Sequence, residues 1–257
     1  SAVGISLVLS ITMFTGILLD YNPDFKVEAF WTWIHLGAFN IDLGFLIDNI
    51  TITMLMVVAL ISTMSHLFSI KYMEGDPRYS RYYAYLSLFT FSMNGIVLAN
   101  NLMLLYMSWE LVGLSSFLLI GFWFEKDSAA SAANKAFLTN RVGDIGFFIG
   151  IMIIFMTVGS VSYGEVFNGV ANGELMGTLL TCAGIGLFMG AMGKSSQVPL
   201  HIWLPDAMEG PTPVSALMHA ATMVAAGVFM MVRLFPIMSP DALIFTAYIG
   251  GITALFA

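Results

Sequence analysis

Long apolar runs separated by short connections rich in polar residues, glycine or proline set the rhythm of this chain. Positions 82–109, 145–164 and 175–193 carry no formal charge, and apolar runs of about 18 residues or more are candidates to span a membrane as helices. The pattern predicts spans at roughly 3–19, 49–70, 81–98, 101–123, 135–157, 175–194 with a continuation, 213–235 and 242–257. The expected architecture is an all-α polytopic membrane protein, with about eight spans in one membrane domain over residues 1–257.

Two stretches break that rhythm. In the connection at 20–48, Phe39-Asn40-Ile41-Asp42-Leu43-Gly44-Phe45 alternates apolar and polar positions, the period of a half-buried strand. The aromatic VEAFWTWIH precedes it, with Gly37 available for a turn, so a β-hairpin is expected there, Trp31 and Trp33 lying at headgroup level. Asp48 then fits the N-cap of the next helix. The second stretch runs from Leu175 to Pro205, 31 residues whose only formal charge is Lys194. About 20 residues suffice to span. Gly193 and the backbone-donor-free Pro199 flank the polar Ser195-Ser196-Gln197, which predicts a helix that breaks inside the membrane and resumes. Thr212 is expected to cap the following helix, and Ser162 with Glu165 has capping-box spacing for a short surface helix.

Composition narrows the class. Hydrophobic residues make up 58% and charged residues only 10%, against about a quarter in soluble domains. A net charge of −7 without a basic patch argues against a nucleic-acid partner. Lys71, Arg78, Arg81, Lys126 and Lys135 fall in connections on one side, whereas the opposite connections hold only Lys26, with Arg233 near a helix end. The Lys/Arg-rich side is thus expected to be cytoplasmic, or its organellar equivalent.

The charges within apolar runs carry the candidate chemistry. Hydrocarbon disfavours ions by a few kcal/mol or more, so such groups line protein or water-filled interiors and mark ion paths. Glu110 lies roughly 14 Å along its span, near mid-membrane. If it meets Lys194, a separation of ~4 Å would contribute roughly 4 kcal/mol at an effective dielectric near 20, and separating the two would free a proton from the lysine. Thr212, Ser215, His219 and Thr222 recur at helical spacing, and histidine passes protons near neutrality. Arg141 and Asp144, three residues apart, are placed to pair along one helix. The bland alternatives are interhelical polar glue and a passive assembly scaffold. A membrane electron carrier using His66 and His219 as haem ligands is a further class. No metal-binding, P-loop or dinucleotide motif appears.

Three blocks, WELVGLSSFLLIGFW (109–123), KAFLTNRVGDIGFFIGI (135–151) and GKSSQVPLHIWLPDAMEGPTPVSALMHAATMVAAGVFM (193–230), resemble the antiporter-like membrane subunits of respiratory complex I, most of all subunit L. The resemblance covers nearly the whole chain and is shared more distantly with Mrp-type Na⁺/H⁺ antiporter subunits. It implies proton translocation coupled to quinone reduction through a relay of Glu110, Lys194 and His219, with Arg141 and Asp144 as a supporting ion pair, Gly193 and Pro199 at the helix break, and residues 101–235 as the half-channel core. It further implies an N-terminal fragment of a longer subunit, with one more helix before Ser1, and neighbouring membrane subunits including another antiporter-like one. NADH, FMN, iron–sulfur clusters and quinone are expected in other subunits and no cofactor in this chain. The expected location is a bacterial inner membrane, or else an organellar inner membrane or thylakoid.

Overall fold

The computed structural model describes residues 2–36 and 39–256, without the side chains of 35–41; the turn expected at Gly37 lies outside the described residues. The helices are α1 (Ala2–Leu19), α2 (Asn49–Tyr72), α3 (Tyr79–Leu98), α4 (Leu102–Ile120), α5 (Asp127–Val158), a short α6 (Tyr163–Ala171), α7 (Gly177–Lys194), α8 (Thr212–Ser215), α9 (Met223–Arg233) and α10 (Pro240–Phe256). Among the described residues five helical stretches are long and apolar enough to cross a membrane: α1, α2, α4, α5 and Thr212–Arg233. The runs at 81–98 and 175–194 form α3 and α7.

The hairpin is present as β1 (Lys26–Leu36) and β2 (Phe39–Asp48), antiparallel, with Lys26 opposite Asp48. Its register shifts between Thr32 and Ile34, so Trp33 is a bulged residue, and both Trp31 and Trp33 are exposed. Gly44 lets it lie against the bundle, since a Cβ there would stand 2.5 Å from Asn100 Nδ2. Asp48 ends the hairpin and starts α2, accepting from the Thr51 backbone N–H at 2.9 Å. The same carboxylate holds Arg233 at the end of α9, whose Nη2 also donates to Thr51 Oγ1 at 2.7 Å. One acidic side chain thereby ties hairpin, α2 and α9 together.

The central seam is α5 against α7. The small-residue motifs Gly146-xxx-Gly150 and Gly186-xxx-Gly190 face each other across it. A Cβ on Gly186 would be 2.9 Å from both Gly146 O and Gly150 Cα, and one on Gly143 would be 2.6 Å from Met189 O. Backbones this close gain dispersion contacts that larger side chains would forbid.

The break after Lys194 has a specific form. Gln197 N–H donates to Met192 O at 2.9 Å and Ser196 N–H to Gly193 O at 3.2 Å, with Ser196 at φ 53°. This is the Schellman pattern with serine where glycine is favoured, at a cost of about 1–2 kcal/mol. The expected resumption of α7 does not occur as an α-helix. Residues 195–205 form turns, Pro199 supplying no donor, and only a 3₁₀ turn follows at Asp206–Glu209. Two expected caps are also corrected. Thr212 is the first helical residue, its hydroxyl 3.3 Å from Tyr72 Oη. Ser162 precedes α6 without a side-chain capping bond.

Candidate functional site

Glu110 comes from α4, Arg141 and Asp144 from α5, and Lys194 is the last residue of α7. The expected Glu110–Lys194 pair does not form, and neither does an Arg141–Asp144 pair along α5. The partners are exchanged: Arg141 Nη1 donates to Glu110 Oε2, and Lys194 Nζ lies 3.7 Å from Asp144 Oδ2. Helix geometry explains the exchange. Asp144 follows Gly143 into the glycine seam, where a Gly143 Cβ would be 3.3 Å from Gly193 Cα, so the residues after these two glycines meet. Arg141, three residues earlier, is turned toward α4 instead.

The two pairs differ in environment. The Lys194 and Asp144 side chains are 1% and 2% exposed, and those of Arg141 and Glu110 are 35% and 22%. At 3.7 Å the buried attraction amounts to about 4 kcal/mol at an effective dielectric near 20. Trp109, adjacent to Glu110 and fully buried, donates its indole N–H to Asp144 Oδ1 at 2.9 Å. The guanidinium of Arg141 sits 4.6 Å from the centre of the Phe137 ring. The pairs adjoin through Gly113: a Cβ there would be 2.8 Å from Lys194 Nζ. Gly113 is one helical turn from Glu110, so the amine passes α4 on the side that bears the glutamate.

His219 lies beyond the break. It sits in a π-helical segment, Ala216–Ala221, between α8 and α9, so the stripe expected from Thr212 to Thr222 is not carried by one regular helix. Thr222 Oγ1 donates to Leu217 O at 2.6 Å, as suits the extra carbonyls a π-turn frees. Both His219 ring nitrogens are buried without a hydrogen-bond partner among the described residues. Its ring is 5.8 Å from that of Trp203, whose indole N–H donates to Gly193 O at 3.0 Å. Trp203 thus connects the histidine to the end of α7, and Ser195 Oγ binds Val224 O at 2.7 Å from the same break. Sequence reading missed Trp109 and Trp203. Their signal was a tryptophan within or beside an apolar run, whose N–H needs an acceptor when buried. His66 is bound at Nδ1 by Ser62 O (2.8 Å), while Ser62 Oγ meets Thr90 Oγ1 at 2.7 Å, an α2–α3 contact away from these charges.

Comparison with known proteins places these features in a family. The family model described as NADH:quinone oxidoreductase/Mrp antiporter, TM, matches residues 99–257, and that of NADH-ubiquinone oxidoreductase (complex I), chain 5 N-terminus, matches 33–83. The chain is 49% identical over 236 residues to NADH-ubiquinone oxidoreductase chain 5 of Chondrus crispus, covering 88% of this chain and 35% of that one. It is 46% identical over 267 residues to NADH-quinone oxidoreductase subunit L of Neisseria meningitidis, covering 99% of this chain and 40% of that one. Among solved structures, a chain of the Mrp complex from Dietzia sp. DQ12-45-1b superposes with a TM-score of 0.76 at 26% identity, covering 89% of this chain and 24% of that one. The chain therefore spans 35–40% of the length of the two sequence relatives and 24% of the Mrp chain.

Proposed function

The chain belongs to the NADH:quinone oxidoreductase/Mrp antiporter transmembrane family, and we propose that it is the N-terminal part of a proton-conducting subunit of an NADH:quinone oxidoreductase. The observation that carries this reading is the exchanged pairing, with Lys194 on Asp144 and Glu110 on Arg141 beside one another. Arginine does not give up its proton under physiological conditions, so Arg141 acts as a movable counter-charge. While Arg141 holds Glu110, Asp144 is left to Lys194. A shift of Arg141 toward Asp144 would release Glu110 and weaken the hold on Lys194. The lysine could then discharge its proton toward His219, whose free ring nitrogens suit a relay.

In this proposal the redox chemistry of NADH, FMN, iron–sulfur clusters and quinone belongs to other subunits, and this chain supplies the conducting element alone. Its partners are other membrane subunits, among them a second antiporter-like one, in a bacterial inner membrane or its organellar counterpart. The names and identities of the relatives support an oxidoreductase partner in preference to a stand-alone Na⁺/H⁺ antiporter.

The test is NADH-driven proton uptake into inverted membrane vesicles containing the full-length subunit in its complex, with variants compared at matched complex content. Lys194→Ala is expected to abolish the gradient and slow electron transfer. Unchanged uptake would make the pair a structural tie. A wild type that ignores NADH but exchanges Na⁺ for H⁺ would transfer the assignment to the antiporter branch.

A further inference from the structure

Most cations of the Lys/Arg-rich end are held within the chain, three by carboxylates and one over an aromatic ring. Lys71 pairs with Glu74, Lys135 with Asp206 at 2.6 Å, and Arg78 with Glu125 at 2.7 Å as well as Asp76 at 3.7 Å. Lys126 lies over the Trp123 ring at 5.0 Å. Arg81 is the exception: it is exposed, and its guanidinium makes no ion pair, hydrogen bond or ring contact among the described residues. The nearby carboxylate that senses it, Glu125, is already held by Arg78. Arg81 also sits in the first turn of α3, where the positive end of the helix dipole disfavours a cation. An anion from outside the chain would relieve both conditions.

Arg81 stands at the rim of a cavity of about 320 Å³ between α3, α4 and the start of α5. Asn134 shares the rim, and Tyr85, Phe117, Leu118 and Phe124 form an apolar wall. One turn further along, Leu114 on α4 and Leu138 on α5 are 43% and 64% exposed, so the apolar lining continues from the cavity toward the middle of the membrane. A lone cation above an apolar groove at the membrane boundary has the polarity of a phospholipid.

We propose that this cavity binds an anionic phospholipid from the leaflet on the Lys/Arg-rich side. The headgroup phosphate meets Arg81 and the Asn134 amide, and an acyl chain lies along Phe117, Leu118, Leu114 and Leu138. A free phosphate would leave the apolar wall uncovered, and a zwitterionic lipid would bring its own cation to Arg81. Anionic lipid gains about fivefold in occupancy per basic residue near the surface.

The test uses the full-length protein in its assembled complex, reconstituted in phosphatidylcholine nanodiscs. These carry a trace of either phosphatidylglycerol or phosphatidylcholine bearing the same photoactivatable acyl chain. After irradiation, label on peptides covering 114–138 is measured by mass spectrometry per mole of complex. Phosphatidylglycerol is expected to label about fivefold more than phosphatidylcholine, with no competition from inorganic phosphate. Arg81→Gln should reduce it to the phosphatidylcholine level and Arg81→Lys should largely restore it. Ala130→Phe, which fills the cavity, should lower both signals. Equal labelling by the two lipids, an unchanged Arg81→Gln, displacement by free phosphate, or label found only on a neighbouring subunit would each overturn the proposal. No turnover is needed, so the result is independent of proton conduction.

Discussion

Two ion pairs one helical turn apart on α5 live in different surroundings. Asp144–Lys194 is enclosed between α4, α5 and α7, with Trp109 fixing one carboxylate oxygen; Glu110–Arg141 opens to the outside of the helix bundle. A buried charge that loses its partner is left desolvated, and removing one member costs about 3–5 kcal/mol. Charges in a membrane span stay costly even at the bundle surface, but the less enclosed Glu110–Arg141 pair has more room to change partners. On the proposed reading the two pairs have different tasks: the enclosed pair holds a proton out of water, and the less enclosed pair, with room to rearrange, serves as its control.

Lys194→Ala should test this most severely. Thermal stability of the purified complex is expected to fall by about 3–5 kcal/mol in local terms, and proton uptake should be lost. The double variant Asp144→Ala/Lys194→Ala should recover stability without recovering uptake. If the double variant conducts, the enclosed pair is not on the path. Glu110→Ala ranks second, with conduction strongly reduced but a smaller loss of stability than Lys194→Ala, because Glu110 and Arg141 are less enclosed than Asp144 and Lys194; a melting shift as large as that of Lys194→Ala would erase the distinction between the pairs.

Gly113→Ala addresses the point where the pairs adjoin. Its methyl would stand 2.8 Å from Lys194 Nζ, and the end of a flexible side chain can yield, so stability should change little. The amine must move, and uptake is expected to drop by about tenfold, equivalent to about 1.4 kcal/mol in the barrier. Unchanged uptake with unchanged melting would show that the lysine has room to spare. His219→Ala should cost less, because water can replace one member of a relay; pH-jump proton release in vesicles would measure the residual rate.

The smallest effect lies at the Lys/Arg-rich end. The backbone N–H of Arg78 holds the Asp76 carboxyl below its ordinary value, against a smaller opposing effect of burial, and the Trp123 indole and Arg78 charge add to the lowering. With a folded value below the unfolded one, this contribution is present above the unfolded value and disappears as pH falls through the depressed one. Protection of the amides across residues 73–78, taken against the intrinsic exchange rate at each pH, should fall in that acidic window, and Asp76→Asn should abolish that fall.

Much of this was legible in the chain itself. Apolar runs long enough to span a membrane, with few charges inside them, dictated membrane helices because every buried backbone group must be satisfied within its own segment. Alternation from Phe39 to Phe45 marked the hairpin strand, and a carboxylate at position 48 marked a helix start. Isolated charges at 110, 141, 144 and 194 marked where to look. Their pairing was not legible. Spacing along one helix suggested Arg141 with Asp144, but partners across helices depend on which faces turn together, and the glycine seam decided that by drawing α5 and α7 close enough for Asp144 to reach Lys194. The turns that replace a resumed α7 were likewise settled by contacts between segments, through Ser195 and Trp203, while the π-segment at His219 carries a local bond from Thr222 to Leu217. Local sequence determines which segments become helical and which groups are costly to bury; only the packed bundle determines which of those groups find each other.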